Sequence, residues 1–276
     1  MYKVAIIWWT SNFWKWWEKY FKSKNNEVIV SSRTTKILPK KAVKLADIII
    51  VSVPIRHTVE TVKELIPYIW ENKLLIDFTW IKLEVIEELK KYNYWEIISV
   101  HPMFWPWIDN LKEQNISYDP IKEWEKWEYI KTLFKNDWAN LFEIKSEKHD
   151  EFVSIVQSSV HIINSLLWNI LKKRWINLEK MMEISTPNSR MQLYILSRFL
   201  KQNASLYTDM QMHNKLYKEQ ILPDMIEHFQ YLNSLINNNE TEKFEKEFND
   251  IKNYLWEEFI NKSFEKTKKI DSELKK

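Results

Sequence analysis

The sequence predicts an α/β N-terminal domain built on a doubly wound, mainly parallel sheet, followed by an all-α C-terminal domain. Two observations carry this expectation. Over roughly the first half of the chain, short apolar runs alternate with amphipathic helical stretches, the pattern of successive βαβ units with right-handed crossovers. From residue 146 onward the strand pattern stops and helical periodicity continues to the end. A chain of 276 residues can bury two cores, and the change of pattern places the boundary between residues 147 and 148.

Taken in order, residues 3–7 (Lys-Val-Ala-Ile-Ile) read as a strand buried on both faces, since the apolar run does not alternate with polar residues. Residues 13–24 form the helix after it and 27–31 the second strand. Further strands are expected at 48–51, 74–76 and 97–100, with helices at 58–69 and 83–91 between them. A short strand at 116–118, a helix at 123–134 and a last strand at 141–144 complete the first domain. Beyond it, helices are expected at 149–174, 178–183, 187–201, 215–237 and 241–269. Thr186-Pro187 is a good helix start: Thr can cap, and Pro in the first turn loses no hydrogen bond. The charged tail 266–276 reads as a frayed helix end, and no internal repeat is visible.

The bulk properties exclude several classes. A formal net charge of +3 gives no reason to propose nucleic acid or an acidic membrane as a partner. Without cysteine there is no disulfide framework, no thiol nucleophile and no Cys-ligated metal, which fits a cytoplasmic protein; no metal site is expected. The apolar run at 4–7 is too short for a signal peptide, and no later run approaches the roughly 18 residues of a membrane span.

One feature of composition is anomalous. The chain has no glycine and 16 tryptophans, whereas average usage would supply roughly 19 glycines at this length. Trp8, Trp9 and Trp14 follow the first strand, where phosphate-binding turns need glycine, and Trp70, Trp95, Trp138 and Trp175 stand at chain reversals. A packed core needs no indoles there. Most of these positions are therefore expected to stand for glycine, through a genetic code in which UGA specifies glycine; Trp16 is a candidate for a genuine tryptophan.

With glycine at 9 and 14, the segment Trp9-Thr10-Ser11-Asn12-Phe13-Trp14 becomes Gly-x-Ser-x-x-Gly, a Rossmann-type dinucleotide fingerprint opening a helix. Such a turn lets the backbone approach a pyrophosphate whose charge sits on the helix N-terminus. At the end of the second strand the chain carries Ser31-Ser32-Arg33-Thr34 rather than an acidic residue. Arg33 flanked by Ser32 suits a 2′-phosphate, so NADP is favoured over NAD.

Three strand-end segments then carry a family resemblance. Ser52-Val53-Pro54-Ile55, Asp77-Phe78-Thr79-Trp80-Ile81-Lys82 and His101-Pro102-Met103-Phe104-Trp105-Pro106 look like the successive motifs of prephenate dehydrogenase. With glycine at 105 the last reads HPMFGP. Glu147-Lys148-His149-Asp150, Gln157 with His161, Thr186-Pro187, Ser197-Arg198 and residues 206–212 resemble the helical half of that family, so the likeness spans nearly the whole chain. It covers no chorismate mutase and no obvious regulatory domain, the pattern of a monofunctional form.

The resemblance implies NAD(P)-dependent oxidative decarboxylation of prephenate to 4-hydroxyphenylpyruvate, a step toward tyrosine, in a homodimer whose residues 1–147 bind the dinucleotide and 148–276 bind substrate and pair. It implies His101 as the base that takes the ring hydroxyl proton, a role suited to an ordinary pKa of about 6.5, with Lys82 beside the reacting hydroxyl. Arg198 corresponds to the substrate-carboxylate arginine, where a guanidinium can grip bidentately. His161 corresponds to a substrate-contacting histidine, and Arg190 lies about 80° around the same helix as Arg198. Turn residues 9–14, Ser32, Arg33, Ser52, Val53 and Pro54 are the cofactor residues. His149 reads as structural, near a helix start. Position 80, usually serine in the family, is Trp80 here, which puts its substrate contact in doubt. Competing readings are an arogenate dehydrogenase, a non-catalytic dinucleotide-binding protein that would need neither His101 nor Arg198, and a chain whose literal tryptophans block the phosphate site.

Overall fold

A computed structural model describes residues 1–9, 13–70, 72–92, 96–201 and 203–273. Seven strands form one sheet in the order β2-β1-β3-β4-β5-β6-β7: β1 (Lys3–Trp8), β2 (Glu27–Ser31), β3 (Ile48–Ser52), β4 (Leu74–Asp77), β5 (Glu96–Pro102), β6 (Asn115–Lys122) and β7 (Asn140–Glu143). Every neighbouring pair is parallel except β5 with β6. Since β2 and β3 flank β1 on opposite sides, the order in which strands are added to the sheet reverses there. The crevice at the carboxyl ends of β1 and β3 is the switch point where open α/β sheets bind ligands.

The strands read as continuous apolar runs because side chains alternate between two cores. Ala5, Ile7, Ile49, Val51, Leu75 and Ile97 point into one core. Val4, Ile6, Ile48, Ile50, Leu74, Ile76, Ile98 and Val100 point into the other. The first is closed by α2 (Pro39–Leu45), α3 (Ile55–Leu65) and α4 (Leu83–Leu89), which contribute Val43, Val62, Val85 and Leu89. The second is closed by α1 (Phe13–Ser23) and α5 (Glu125–Asn136), through Trp17, Phe21, Trp127 and Phe134.

Beyond β7 the described residues are helical: α6 (Ser146–Val153), α7 (Val160–Lys173), α8 (Leu178–Glu183), α9 (Pro187–Leu200), α10 (Ala204–His213), α11 (Leu222–Asn237), α12 (Thr241–Tyr254) and α13 (Glu257–Glu273). Three long helices expected from periodicity are subdivided. A π-helical stretch, Ser154–Ser159, separates α6 from α7; another, Tyr217–Ile221, precedes α11; and the chain breaks at Leu255-Trp256 between α12 and α13. Two helices carried no clear periodic signal, α2 with seven residues and α10.

The chain forms two compact units, residues 1–156 with 205–216, and 157–204 with 217–276. The boundary expected at 147–148 falls near the start of α6, inside the first unit. In that unit α10 returns to the sheet side: Met210 packs with Ile55, Ile81 and Val153, and Asp209 pairs with Arg56 at 2.6 Å. In the second unit α7 and α13 pack on α9. No described helix is long and apolar enough to cross a membrane.

Candidate active site

Strands β4 and β5 lie side by side with Asp77 in register with Ser99, so their carboxyl ends deliver Asp77 and His101 to one place. Lys82, just ahead of α4, reaches back: its Nζ donates to the Val100 carbonyl at 2.8 Å and to Asp77 Oδ1 at 3.3 Å. All three residues are buried. The structure thus brings together the two catalytic candidates, His101 and Lys82, and adds a carboxylate.

It also adds a second histidine. His101 Nδ1 lies 2.8 Å from His149 Nε2, and His149 Nδ1 lies 2.9 Å from Asp150 Oδ1. The Asp150 carboxylate accepts the Lys82 backbone N–H at 3.0 Å from each oxygen and the Leu83 N–H at 3.0 Å. The start of α4 and the relay are therefore one network, sealed from water, with His101, His149 and Asp150 no more than 3% exposed. Burial pushes the His101 pKa well below its ordinary value, and the nearby His149 and Lys82 push it the same way. Burial likewise lowers Lys82, against the opposing pull of Asp77, Asp150 and Asp119. At neutral pH the His101 ring is neutral, the form a base requires.

His149, expected from the sequence to be structural, lies against the base candidate His101, a contact the sequence reading did not include. Its only local signal was the adjacent acid in His149-Asp150 at a helix start, while its partner is 48 residues away in the chain. Trp80 covers one side of His101, with ring centroids 5.2 Å apart, and Trp105 lies 5.6 Å from Trp80. An open groove of about 730 Å³ beside α1, bordered by Lys15, Tyr20, Asp137 and residues 106–111, includes neither His101 nor Lys82.

The nucleotide candidates gather at the switch point. Trp8 pairs in register with Ser52, which places the carboxyl end of β1 beside that of β3, where Val53 and Pro54 follow. Pro54 precedes α3, and its carbonyl accepts the His57 N–H at 2.8 Å. Ser32 is buried and its N–H donates to Thr35 Oγ1 at 2.8 Å, while Arg33 is exposed. Phe13 opens α1 and packs on Trp17 and Phe104. Thr10, Ser11 and Asn12 lie outside the described residues, as does Trp95. Indoles fill this crevice: Trp8 stacks on Trp14 at 4.7 Å, and Trp9 lies under the Arg33 guanidinium at 3.5 Å and against His57 at 4.8 Å. A glycine turn would leave that space for a pyrophosphate and ribose; with tryptophan at 8, 9 and 14 the crevice does not fit a dinucleotide.

The three substrate-binding candidates belong to the second unit. His161 stands half-buried in the first turn of α7, and burial pushes its pKa down to about 4. Arg198 is exposed near the end of α9, and Arg190 near its start donates through Nε to the Ser185 carbonyl at 3.2 Å. Among the described residues no cluster of His, Asp and Glu could hold a metal ion.

A doubly wound, mainly parallel sheet that delivers a buried histidine pair to the carboxyl end of a central strand defines an α/β protein of the open-sheet class. The comparisons narrow this. Two family models match, "Prephenate dehydrogenase, nucleotide-binding domain" over residues 22–111 and "Prephenate dehydrogenase, dimerization domain" over residues 145–250. The chain belongs to the prephenate dehydrogenase family. It is 30% identical over 263 residues, 88% of its length, to a probable arogenate/prephenate dehydrogenase of Methanocaldococcus jannaschii, of which it spans 58%. Its fold matches that of prephenate dehydrogenase from A. aeolicus, crystallised with hydroxyphenyl propionate and NAD+, with a TM-score of 0.68 at 16% identity, covering 91% of this chain and 96% of that one. Synechocystis arogenate dehydrogenase matches with a TM-score of 0.66 at 16% identity, covering 92% and 100%.

Proposed function

We propose that the chain acts as an NAD(P)-dependent dehydrogenase that oxidatively decarboxylates prephenate to 4-hydroxyphenylpyruvate. The observation that carries this reading is the buried, neutral His101 at the end of β5, paired through Nδ1 to His149. Its Nε2 accepts the proton of the ring hydroxyl as that carbon is oxidised, and returns it to the phenolate oxygen once carbon dioxide has left and the ring is aromatic. The proton balance closes within the site, so no further acid is needed. Lys82 places its Nζ donors beside the same strand end, where they can stabilise the oxygen while it is deprotonated.

Arg198 is assigned to a substrate carboxylate, with His161 and Arg190 as further substrate contacts. Arg33 and Ser32 favour a 2′-phosphate and hence NADP over NAD. A bound nicotinamide would take the hydride that leaves the hydroxyl-bearing ring carbon, while the proton is held and returned by the chain's own side chains. A homodimer is proposed through the second unit. The dimerization-domain match supports it, as do the apolar side chains of α7, where Ile163, Leu166 and Ile170 are 45–55% exposed. Residues 1–147 are proposed as the nucleotide-binding part, 148–276 as the substrate-binding and pairing part, and the cytoplasm as the compartment.

A second reading is arogenate as substrate, favoured by the names of the Methanocaldococcus and Synechocystis relatives. The two substrates differ by an amine for a keto group on the side chain, away from the ring hydroxyl assigned to His101. Turnover of each, with NAD and with NADP, followed by the absorbance of the reduced nicotinamide, separates the readings. Cofactor binding without turnover of either substrate overturns both in favour of a non-catalytic dinucleotide-binding protein.

A further inference from the structure

We propose that His149 and Asp150 are positioning residues that fix the tautomer of His101 and so make Nε2 its proton acceptor. The argument is one of donors and acceptors. An ionised carboxylate offers only acceptors, and Asp150 already receives two backbone N–H groups. His149 Nδ1, 2.9 Å away, therefore carries a hydrogen. A neutral His149 then has a bare Nε2, so His101 Nδ1 is the donor across the 2.8 Å contact, and His101 Nε2 is left with its lone pair. Asp150 is itself held by Asn214 and Ser154, which both donate toward its helix turn: Ser154 Oγ and Asn214 Nδ2 bond the Asp150 carbonyl at 2.7 and 3.3 Å.

The proposal rests on the reading of His101 as the base, but its first test needs no substrate. Long-range proton–nitrogen correlation on the labelled full chain at neutral pH should show hydrogen on Nδ1 and none on Nε2 of both rings; hydrogen on His101 Nε2 overturns the relay. Absence of turnover would instead overturn the proposed function and leave this spectrum as it is. Asp150→Asn can donate to His149 and reverse both tautomers, and should lower kcat by about 10⁴-fold with little change in KM. Should that variant fail to fold, His149→Gln keeps an acceptor for His101 and should retain most of the rate while His149→Leu loses it. Equal rates in those two overturn the proposal.

A separate set of observations concerns the tryptophans. Among the described residues four helices end in the same double hydrogen bond, in which the second residue past the helix donates three back and the third donates five back, the arrangement that puts the first of these two in the left-handed region. At α1 and α11 those residues are Asn25 (φ 59°) and Asn239 (φ 52°). At α5 and α7 they are Trp138 (φ 60°) and Trp175 (φ 52°). Asparagine tolerates that region and glycine favours it, but a bulky side chain does not. Neither indole gains packing in return, being 74% and 92% exposed. Elsewhere the indole N–H groups of Trp8, Trp14, Trp17, Trp127 and Trp168 are buried without an acceptor, although buried indoles ordinarily find one. Trp16 is the contrast: its Nε1 donates to the Ile108 carbonyl at 2.8 Å and its ring stacks on Tyr20.

We infer that the working protein carries glycine at 138 and 175, and by the same replacement at 8, 9 and 14, which clears the switch-point crevice for a pyrophosphate. Two measurements test this. The codons at these five positions should be UGA, and the mass of the protein made in its own cells should be lower by one tryptophan-to-glycine difference at each. UGG codons, or a mass equal to that of the written sequence, overturn it. The chain with glycine at 8, 9 and 14 should bind NADP at least tenfold more tightly than the chain as written; equal affinities overturn the assignment of the crevice.

Discussion

Nδ1 of His101 and Nε2 of His149 stand 2.8 Å apart with both rings buried, so the two histidines share one hydrogen and cannot both be charged without strong repulsion. The charged groups around them are Lys82 and Asp150, with Asp77 on Lys82 and Asp119 lining a small cavity beside His149 and Lys82, and the largest influence on His101 is burial, which disfavours its charged form. The acid limb of kcat/KM should therefore lie below pH 6.5, and replacing His101 with Asn should lower turnover by orders of magnitude while cofactor affinity changes little. A pH profile with its limb above 7 would contradict the buried neutral base.

The same shift makes stability depend on pH. The folded pKa of His101 lies below the unfolded value of about 6.5, so between the two the unfolded chain binds one more proton than the native one. Stability is complete above pH 6.5 and falls as pH drops through that window, by up to about 1.4 kcal/mol per pH unit for this one group. Urea midpoints at pH 7 and pH 5 should show a larger loss for the wild type than for His101→Asn. Equal losses would place the sensitivity elsewhere.

Lys82 and Asp77 form a buried pair, with the lysine also bound to the Val100 carbonyl. Removing one partner leaves the other charge uncompensated, which costs about 3–5 kcal/mol, whereas removing both can be nearly neutral. Lys82→Met should lower the urea midpoint sharply, and Lys82→Met with Asp77→Asn should recover most of that loss. The double variant would remain poor in turnover, which separates the structural role of Lys82 from its catalytic one.

Much of this architecture was readable in the chain because β1, β3, β4 and β5 are buried on both faces and so appear as unbroken apolar runs. Strand ends are where such sheets place chemistry, and His101 was singled out for that reason. The relay was not, since what joins His149 to His101 is a tertiary contact, and a His-Asp pair at a helix start has many ordinary uses. Helix α2 was missed because seven residues with two buried apolar positions, Ala42 and Val43, give too short a period to detect. The subdivision of the expected helix over 149–174 was missed because a π-helical stretch shifts the phase of the pattern without an obvious breaker in the sequence.

Arg33 stands exposed after β2, its guanidinium over the ring at position 9. If it holds a 2′-phosphate, Arg33→Ser in the chain with glycine at 8, 9 and 14 removes a charge-assisted hydrogen bond of about 1.5–3 kcal/mol. That corresponds to a loss of roughly tenfold to a hundredfold in NADP affinity, with NAD affinity nearly unchanged. Titration with both nucleotides checks it, and an equal loss for the two would assign Arg33 to something other than the 2′-phosphate.

Trp138 and Trp175 offer a test that involves no ligand. Each sits just past a helix end in the left-handed region, where a side chain with a β-carbon costs about 1–2 kcal/mol relative to glycine. Both rings are largely in water, so deleting them forfeits little burial. Glycine does add freedom to the unfolded chain, and that offsets part of the gain. The net expectation is that Trp138→Gly and Trp175→Gly each stabilise the protein by about 1 kcal/mol, additively, because they end different helices in different units. Trp16→Gly should do the opposite, since it removes a satisfied N–H and a ring stacked on Tyr20. Urea denaturation of the three single variants decides the matter: a loss of stability in the first two would show that these turns are built for tryptophan.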